Sequence, residues 1–329
     1  MQRRYFLALS AAALASPLVG CGTTEDAVQP ASAAAPSAGT GAITVTDGRG
    51  KEVTLPRPAT RVVTLEWVNT EDLVTLGVQP VGAADLSGYR AWVSSAAVTG
   101  TPVDVGLRGE PSLESVAEAR PDLILGISDS IPESAMAQME KIAPVVVLPG
   151  ADASRPAELM KQNFATTAKL VGKDAEAAAI LADLDARIGQ ARGRVEAAGK
   201  AGAPYVFSYL YEAGNQVALR MHGSGSQPGH FAEQLGLKNA WSDPGDQQWG
   251  ISDADIEALT KLPADTEFLY WGNAESDPVT TTLPKNAVWK GLGFVQQQAV
   301  AKAADKVWVY GGPASMMQWV DDVARAVTS

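Results

Sequence analysis

The chain has 329 residues, of which 46% are hydrophobic and 19% charged, and its formal net charge is −11. These proportions are typical of a globular protein with room for two domains, and they exclude a disordered or fibrous chain. The acidic balance argues against nucleic acid as a partner, because polyanions are bound by clustered lysine and arginine. One cysteine and two histidines are too few for a zinc or haem-iron site built from protein ligands alone.

The N-terminal segment has the features of an export signal followed by a tether. The pair Arg3-Arg4 precedes an apolar run that is shorter than the roughly 20 residues needed to cross a bilayer, and small residues then lead to Cys21. We expect residues 1–20 to be removed, Cys21 to be lipidated, and residues 21–41, rich in Ala, Ser, Thr and Pro, to form a flexible tether. Arg3-Arg4 fit the twin-arginine export route, with an ordinary charged signal as the alternative.

Residues 42–172 alternate short β-branched runs with helical patterns. The predicted elements are strand 61–65, a helix that starts at Thr70-Glu71-Asp72 and ends at Gly77, strand 78–82, helix 113–119, strand 122–126, helix 131–142 and strand 145–148. Strands that alternate with helices predict a parallel sheet with helices on its faces. This half is therefore expected to be an α/β lobe.

A long segment with almost no Gly or Pro separates the two halves. Its apolar residues recur at helical spacing over 174–198, which predicts a long helix. We expect residues 173–200 to connect the lobes, although periodicity alone leaves open a surface helix of one domain. Residues 201–329 are expected to form a second α/β lobe, with strands 205–211, 216–221, 268–272 and 306–310 and helices 231–235 and 314–327.

Several short motifs occur in the same order as in the iron-siderophore-binding lipoproteins of ABC importers. They are Leu65-Glu66-Trp67, 76–82 (LGVQPVG), 88–93 (GYRAWV), 105–114 (VGLRGEPSLE), 120–124 (RPDLI), 235–241 (LGLKNAW), 248–252 (QWGIS) and 308–311 (WVYG). Over its length from residue 43 onwards the chain resembles this family, and most of all its ferric hydroxamate-binding members. No single motif is very specific, but the ordered series is.

The resemblance implies a class III periplasmic-binding-protein fold, in which two parallel-sheet lobes are joined by a single long helix and the ligand lies in the cleft between them. It also implies a monomeric, lipid-anchored protein outside the cytoplasm that delivers a ferric siderophore to an ABC permease and its ATPase. Such a protein is not an enzyme and carries no cofactor. A ferric trihydroxamate already has six oxygens on its iron, so the protein need not supply metal ligands.

Candidate ligand-binding residues follow from this chemistry and from the matched positions. A guanidinium is a permanently charged planar donor, so Arg108 suits the outward-facing chelate oxygens, and large aromatic side chains suit its apolar surface. The candidates are Arg108, Trp92, Trp249, Trp67, Tyr89, Trp308, Arg90 and Ser128. Ser128 stands in a loop where the family has an aromatic residue, and Trp67 and Trp308 fit core packing equally well. The other tryptophans, Trp241, Trp271, Trp289 and Trp319, are interpreted as structural.

Docking residues are implied by the resemblance, because family members meet their permease through an acidic residue on each lobe. Glu114 matches the first of these positions. In the second lobe the matched position is Ala254, so Asp255 or Asp253 is the substitute. A solvated acidic helix start is the alternative for both aspartates.

Two other functions remain open from the sequence. Haem or cobalamin binding on the same fold is one, and His222 and His230 lie close together in a segment rich in Gly and Ser. A secreted hydrolase is the other, suggested by Gly223-Ser224-Gly225-Ser226, but the residue order of a nucleophile motif is missing.

Overall fold

The structure is a computed structural model and describes residues 41–214, 216–272 and 277–329. The predicted signal, the lipidation residue Cys21 and all but the last residue of the predicted tether lie outside these residues. The boundaries predicted for those segments therefore stay predictions.

The first lobe is built around a five-stranded parallel sheet. Its elements are β1 (Ile43–Thr46), β2 (Glu52–Leu55), β3 (Val62–Thr64), α1 (Trp67–Thr75), β4 (Gly82–Ala83), α2 (Leu86–Trp92), β5 (Val103–Asp104), β6 (Gly106–Leu107), β7 (Glu110–Pro111), α3 (Leu113–Glu118), β8 (Leu123–Ile127), α4 (Glu133–Ile142), β9 (Val145–Leu148) and α5 (Pro156–Val171). The strand order is β5-β4-β3-β8-β9, and β1-β2 and β6-β7 are separate antiparallel hairpins. Every residue of β8 and β9 is buried, as expected for strands covered on both faces.

Helix α1 begins earlier than its sequence predicts. The N-cap is Glu66, directly after β3, and its carboxylate accepts a hydrogen bond from the Trp67 backbone N–H at 2.9 Å. The predicted start at Thr70-Glu71-Asp72 is wrong, because these residues lie inside the helix and are buried. Polar residues that resemble a cap thus occupy an interior turn, where two carboxylates face the rest of the protein rather than solvent.

A single long helix, α6 (Asp174–Ala197), links the two lobes in sequence. Its buried residues recur at helical spacing, and this apolar stripe packs on α5 and on the last helix of the chain. The buried members are Ala177, Leu184, Ile188, Ala191 and Val195.

The second lobe contains a six-stranded sheet that is mixed. Its elements are β10 (Pro204–Ala213), β11 (Gln216–His222), α7 (Gln227–Glu233), β12 (Lys238–Asn239), β13 (Ile251–Ala254), a 3₁₀ helix (Glu257–Lys261), β14 (Glu267–Trp271), α8 (Pro278–Thr281), a second 3₁₀ helix (Leu283–Lys285), α9 (Ala287–Gly291), α10 (Gly293–Gln296), β15 (Val300–Lys302) and α11 (Pro313–Thr328). The order is β13-β11-β10-β14-β15, with β12 beside β10. Strands β12, β14 and β15 run parallel to their neighbours, whereas β10-β11 is a hairpin and β13 extends it in antiparallel fashion.

The predicted fold class is confirmed in its layout of two α/β lobes and one long helix, with two corrections in the second lobe. Its sheet is not purely parallel, because the short connection between β10 and β11 forces an antiparallel pair. The strand expected at 306–310 is absent from the described structure, because β15 occupies the sheet edge beside β14. The segment that follows, including Trp308 and Tyr310, is free to run towards the cleft.

The lobes share a hydrophobic core as well as the helix. Trp67 and Tyr89 of the first lobe are buried in the same cluster as Trp308 and Trp319 of the second. Direct hydrogen bonds add to this contact, for example from the Ser94 backbone N–H to the Lys306 carbonyl at 3.0 Å. Among the described helices, none is both long and apolar enough to cross a membrane.

Candidate functional site

A cavity of about 540 Å³ lies between the two lobes. This volume is within the range of about 300–1,000 Å³ that is typical of small-molecule sites. The first lobe lines it with Glu66, Val68, Asp72, Arg108, Ile127, Gly150, Ala151, Asp152, Pro156, Leu159, Met160 and Asn163. The second lobe lines it with Arg220, Gly225, Gln227, Asp246, Gln248, Trp249, Ile251, Asp253, Trp308 and Tyr310.

Arg108 lies on the turn of the β6–β7 hairpin and reaches the cavity from the first lobe. Its Nε is 2.6 Å from Glu66 Oε1, and its guanidinium carbon is 4.3 Å from the Trp67 ring centroid and 5.5 Å from that of Trp308. The acid and the two rings hold the planar group in place. The ion pair engages Nε, so the terminal nitrogens are the donors that Arg108 can offer to a ligand.

Glu66 has two roles that its position in the sequence does not reveal. The same Oε1 that caps α1 through the Trp67 N–H also pairs with Arg108. The Glu66 side chain is only 9% exposed, so its ion pair with Arg108 is largely shielded from solvent. The start of α1 and the position of the cavity guanidinium are therefore coupled.

Trp249 belongs to a tight loop organised by Asp246. The Asp246 carboxylate accepts hydrogen bonds from the backbone N–H groups of Gln248 at 2.9 Å, Trp249 at 2.6 Å and Ile251 at 3.2 Å. Burial opposes charge on Asp246, but these N–H donors outweigh it and lower the pKa below its ordinary value. An ionised Asp246 thus fixes the backbone that presents Trp249 to the cavity.

Tyr310 forms the wall beside Trp249 and Trp308. Its ring centroid is 5.8 Å from that of Trp249 and 5.3 Å from that of Trp308, both in edge-to-face geometry. The Tyr310 hydroxyl is 2.7 Å from Nε2 of His222, which is fully buried. Burial lowers the pKa of His222 to about 3, so the imidazole is neutral and serves to hold the tyrosine.

A row of tryptophans crosses from one lobe to the other behind the cavity. Trp67 meets Trp308 with ring centroids 4.9 Å apart, Trp308 meets Trp271 at 5.7 Å, and Trp271 meets Trp92 at 5.0 Å. Two of these contacts join different lobes. The aromatic row therefore stabilises one relative position of the lobes as well as backing the cavity wall.

Two adjacent carboxyl groups of α1 face the second lobe. The Ser315 backbone N–H donates to Glu71 Oε1 at 2.8 Å, and the Ser315 hydroxyl donates to Oε2 at 2.7 Å. Burial raises the pKa of Glu71 to about 7, although these hydrogen bonds oppose the shift. Burial and the neighbouring Glu71 also raise the pKa of Asp72 well above its ordinary value.

The predicted ligand-binding residues fall into two groups. Arg108, Trp249 and Trp308 line the cavity, and Trp67 lies directly beneath the Arg108 guanidinium. The residues predicted at the ligand that are not among the described lining residues are Trp92, Tyr89, Arg90 and Ser128.

Each of these four has a physical reason for its position. Trp92 packs against Trp271 in the aromatic row, and Tyr89 is 1% exposed and donates its hydroxyl hydrogen to the Ala96 carbonyl at 2.6 Å. Arg90 is exposed on α2, and its carbonyl accepts from Lys306. Ser128 follows β8 and is half-buried, with its backbone N–H bonded to the Leu148 carbonyl.

Several site residues were not predicted from the sequence. The sequence gives no ligand-binding signal for Glu66, it places Asp72 in a predicted helix start, and it places Tyr310 in a predicted strand. Trp271 was interpreted as structural, and it lies behind the cavity within the aromatic row. The sequence DQQWG does contain a usable signal, since an Asp two and three residues before free N–H groups is typical of a capped turn.

Side chains that could together bind a metal ion are scarce among the residues that the structure describes. In residues 41–214, 216–272 and 277–329 there is no group of three or more His, Cys, Asp or Glu placed to hold a metal ion. Neither His222 nor His230 is among the described residues that line the cavity. Burial also raises the pKa of the Tyr310 hydroxyl, which disfavours a phenolate ligand for haem iron.

Two α/β lobes around a ligand-sized cleft, linked by one long helix, define a solute-binding protein of the helical-backbone class. Sequence comparison agrees with this class, because the family model described as "Periplasmic binding protein" matches residues 62–307. The chain belongs to the periplasmic binding protein family, and the family resemblance inferred from its motifs is confirmed.

Within this family, the chain is similar to several proteins that are named for siderophore binding. It is 28% identical to the iron(3+)-hydroxamate-binding protein FhuD of Escherichia coli over 269 residues, which cover 81% of this chain and 86% of that protein. It is 27% identical to the probable siderophore-binding lipoprotein YfiY of Bacillus subtilis, with 82% of each chain covered. The crystal structure of the Fe³⁺–Desferal-bound siderophore-binding protein FhuD from Vibrio cholerae superimposes with a TM-score of 0.73 at 31% identity, covering 82% of this chain and 98% of that one.

Proposed function

We propose that the protein binds a ferric siderophore of the hydroxamate type outside the cytoplasm and delivers it to an ABC permease. The observation that carries this proposal is the cavity wall, where the Arg108 guanidinium projects from the first lobe and the rings of Trp249, Trp308 and Tyr310 project from the second. A guanidinium can donate to the outward oxygens of a chelate whose iron is already saturated, and the rings can cover its apolar surface. The relatives named for hydroxamate and siderophore binding support the same ligand class.

The charge of the cavity favours a hydroxamate over a catecholate. Its described lining includes two arginines, Arg108 and Arg220, and the acids Glu66, Asp72, Asp152, Asp246 and Asp253. Ferric tris-catecholates are strongly anionic and need several converging cations, whereas three singly charged hydroxamates neutralise Fe³⁺. A neutral or cationic chelate therefore fits these walls better than an anionic one.

Delivery to the permease is assigned to exposed acids on the two lobes. Glu114 is exposed in the first turn of α3, and Asp255 is exposed after β13. Asp255 also accepts a hydrogen bond from the Ala258 N–H, and Asp253 lies 3.9 Å from Arg220 and lines the cavity. Of the second-lobe candidates, Asp255 is therefore the better docking residue, because Asp253 is already involved in the site.

Anchoring by a lipid on Cys21 and export through the Arg3-Arg4 signal complete the proposal. The sequence pattern supports both, and relatives named as lipoproteins support the anchor. The proposal includes no catalytic step, and the lining described above supplies no nucleophile–base pair of the kind that a hydrolase requires.

Intrinsic tryptophan fluorescence provides the test, because several rings lie at the cavity. Purified protein is titrated with ferric desferrioxamine, ferrichrome, a ferric catecholate, haem and cobalamin. We expect saturable quenching by the ferric hydroxamates and weaker or no binding of the catecholate. A response to haem or cobalamin without one to any ferric chelate would replace this proposal with the alternative ligand class.

A further inference from the structure

The inner part of the cavity contains an acid that the capture of a neutral chelate does not require. Val68 and Asp72 lie one helical turn apart on α1, and both line the cavity. Residues at this spacing share one face of a helix, so the Asp72 side chain is directed towards the cavity. Asp72 is nevertheless only 1% exposed.

Asp72 lacks the partners that satisfy its neighbour. Glu71 receives two hydrogen bonds from Ser315, whereas Asp72 Oδ1 is buried with no hydrogen-bond partner in the part of the chain that the structure describes. Such a group carries a desolvation cost that a donor from a ligand would remove. Gly312 packs against this oxygen, since a Cβ built there would lie 1.9 Å from Oδ1. The absence of a side chain at Gly312 lets its main chain lie against the carboxyl group.

The charges around the cavity leave Asp72 without a counterion. Arg108 is paired with Glu66 at 2.6 Å, and the nearest acid of Arg220 is Asp253 at 3.9 Å. No salt bridge to Asp72 occurs among the described residues. A carboxyl group in this setting is stabilised in its charged form only when a cation enters from outside the protein.

We propose that Asp72 forms a subsite for a protonated amine carried by the siderophore. This inference rests on the proposed function, and it narrows the ligand to ferric hydroxamates with a free ammonium group. Linear trihydroxamates built from diamines end in such an amine, which lies outside the iron coordination sphere and gives the otherwise neutral chelate a charge of +1. Cyclic trihydroxamates lack it. The protein therefore prefers the linear, cationic chelate.

The experiment compares two chelates that differ only in this charge. Ferrioxamine B carries the free amine, and its N-acetyl derivative has the same ferric core without it. Dissociation constants for both are measured by tryptophan quenching with the wild-type protein, the Asp72→Asn variant and a matched control, Asp183→Asn, which removes an exposed acid on α6. We expect the wild type and the control to bind the amine chelate at least about tenfold more tightly than the acetylated one, and Asp72→Asn to reduce this ratio to about one.

Three results would overturn the proposal. The first is equal affinity of the wild type for both chelates, which does not depend on whether any variant folds. The second is a preference that persists in Asp72→Asn with an unchanged ratio. In both cases the proposed function stands, because a ferric hydroxamate is bound. The third is no binding of either chelate by the wild type, which would reject the proposed function together with the amine subsite.

Discussion

The two lobes contribute different chemistry to the same cavity. The first lobe supplies the Arg108–Glu66 ion pair and the Asp72 carboxyl group on α1, beside aliphatic side chains such as Leu159 and Met160. The second lobe supplies the aromatic wall, in which Tyr310 makes edge-to-face contacts with both Trp249 and Trp308, and it adds the charged groups Arg220, Asp246 and Asp253. Both lobes thus offer charged groups to a ligand, but the aromatic lining among the described residues comes from the second lobe.

This difference follows from how each lobe presents its residues. In the first lobe, Glu66 caps α1 at the carboxyl end of parallel strand β3, Asp72 lies within α1, and Arg108 lies on the β6–β7 turn. In the second lobe, the aromatic residues lie on loops whose shape is held by other polar groups, Asp246 for Trp249 and His222 for Tyr310. The division of roles between the lobes can therefore be tested one lobe at a time.

The largest expected effect is on the free energy of unfolding, and it comes from Glu71, which joins the lobes through its hydrogen bonds with Ser315. Because burial raises the pKa of Glu71 from 4.5 to about 7, the folded state binds more protons than the unfolded state between these values. This contribution to stability is fully present below about pH 4.5 and is lost as the pH rises to about 7. A shift of this size corresponds to about 3 kcal/mol, to order of magnitude.

Denaturant unfolding of the wild type and Glu71→Gln at several pH values measures this contribution. We expect the free energy of unfolding of the wild type to fall relative to that of Glu71→Gln as the pH rises from 4.5 to 7. Glu118→Gln, which changes an exposed acid on α3, is the control and should follow the wild type. Parallel pH profiles for the wild type and Glu71→Gln would show that Glu71 titrates normally.

The next largest expected effect is on ligand affinity, when Arg108 of the first lobe is replaced. Replacing Arg108 with Ala removes donors to the chelate, and hydrogen bonds to charged groups contribute about 1.5–3 kcal/mol, so we expect affinity for ferric hydroxamates to fall roughly 10- to 150-fold. It also leaves Glu66 without its counterion, so the variant should be less stable than the wild type.

Arg108→Lys separates these two consequences. It keeps a positive charge beside Glu66 but loses the planar fork, so stability should be largely retained while affinity falls. Chelate titration and thermal unfolding are measured on the same preparations. Wild-type affinity in a stably folded Arg108→Ala protein would remove Arg108 from the binding site and leave it a structural ion pair.

A smaller effect is expected in the aromatic wall of the second lobe. Aromatic contacts contribute about 0.5–1.5 kcal/mol beyond area burial, so Trp249→Ala should weaken chelate binding about 2- to 12-fold. Trp241→Ala is the matched control, because Trp241 is half-buried, donates to Ser252 Oγ at 2.9 Å and does not line this cavity among the described residues. Equal losses in the two variants would indicate a general effect on the lobe rather than a ligand contact.

The smallest effect is the relative movement of the lobes. Trp67 and Trp308, Trp92 and Trp271, and Glu71 and Ser315 hold the lobes together beside α6. We therefore expect the radius of gyration measured by small-angle X-ray scattering to change by less than about 1 Å when a ferric chelate is added. A larger decrease would mean that these contacts break on binding and that the lobes close around the ligand.

Local sequence patterns were sufficient for the general architecture and the family. The alternation of strands and helices, the helical spacing over 174–198 and the order of the motifs are properties of neighbouring residues, and the folded protein retains them. Arg108 and Trp249 were also predicted from their motifs, and both line the cavity. Tyr89 shows the limit of this reasoning, because its motif is matched while its side chain is buried in the core between the lobes.

The detailed construction of the site was decided only by tertiary contacts. The pairing of Glu66 with Arg108 spans 42 positions, and the contact of Glu71 with Ser315 spans 244. The burial of Asp72 depends on the second lobe as well, because Gly312 covers its carboxyl group. Composition and short-range pattern determined which side chains were available to this protein. Long-range packing determined which charges are paired and which carboxyl group faces the cavity without a partner, because burial and distance are properties of the folded chain.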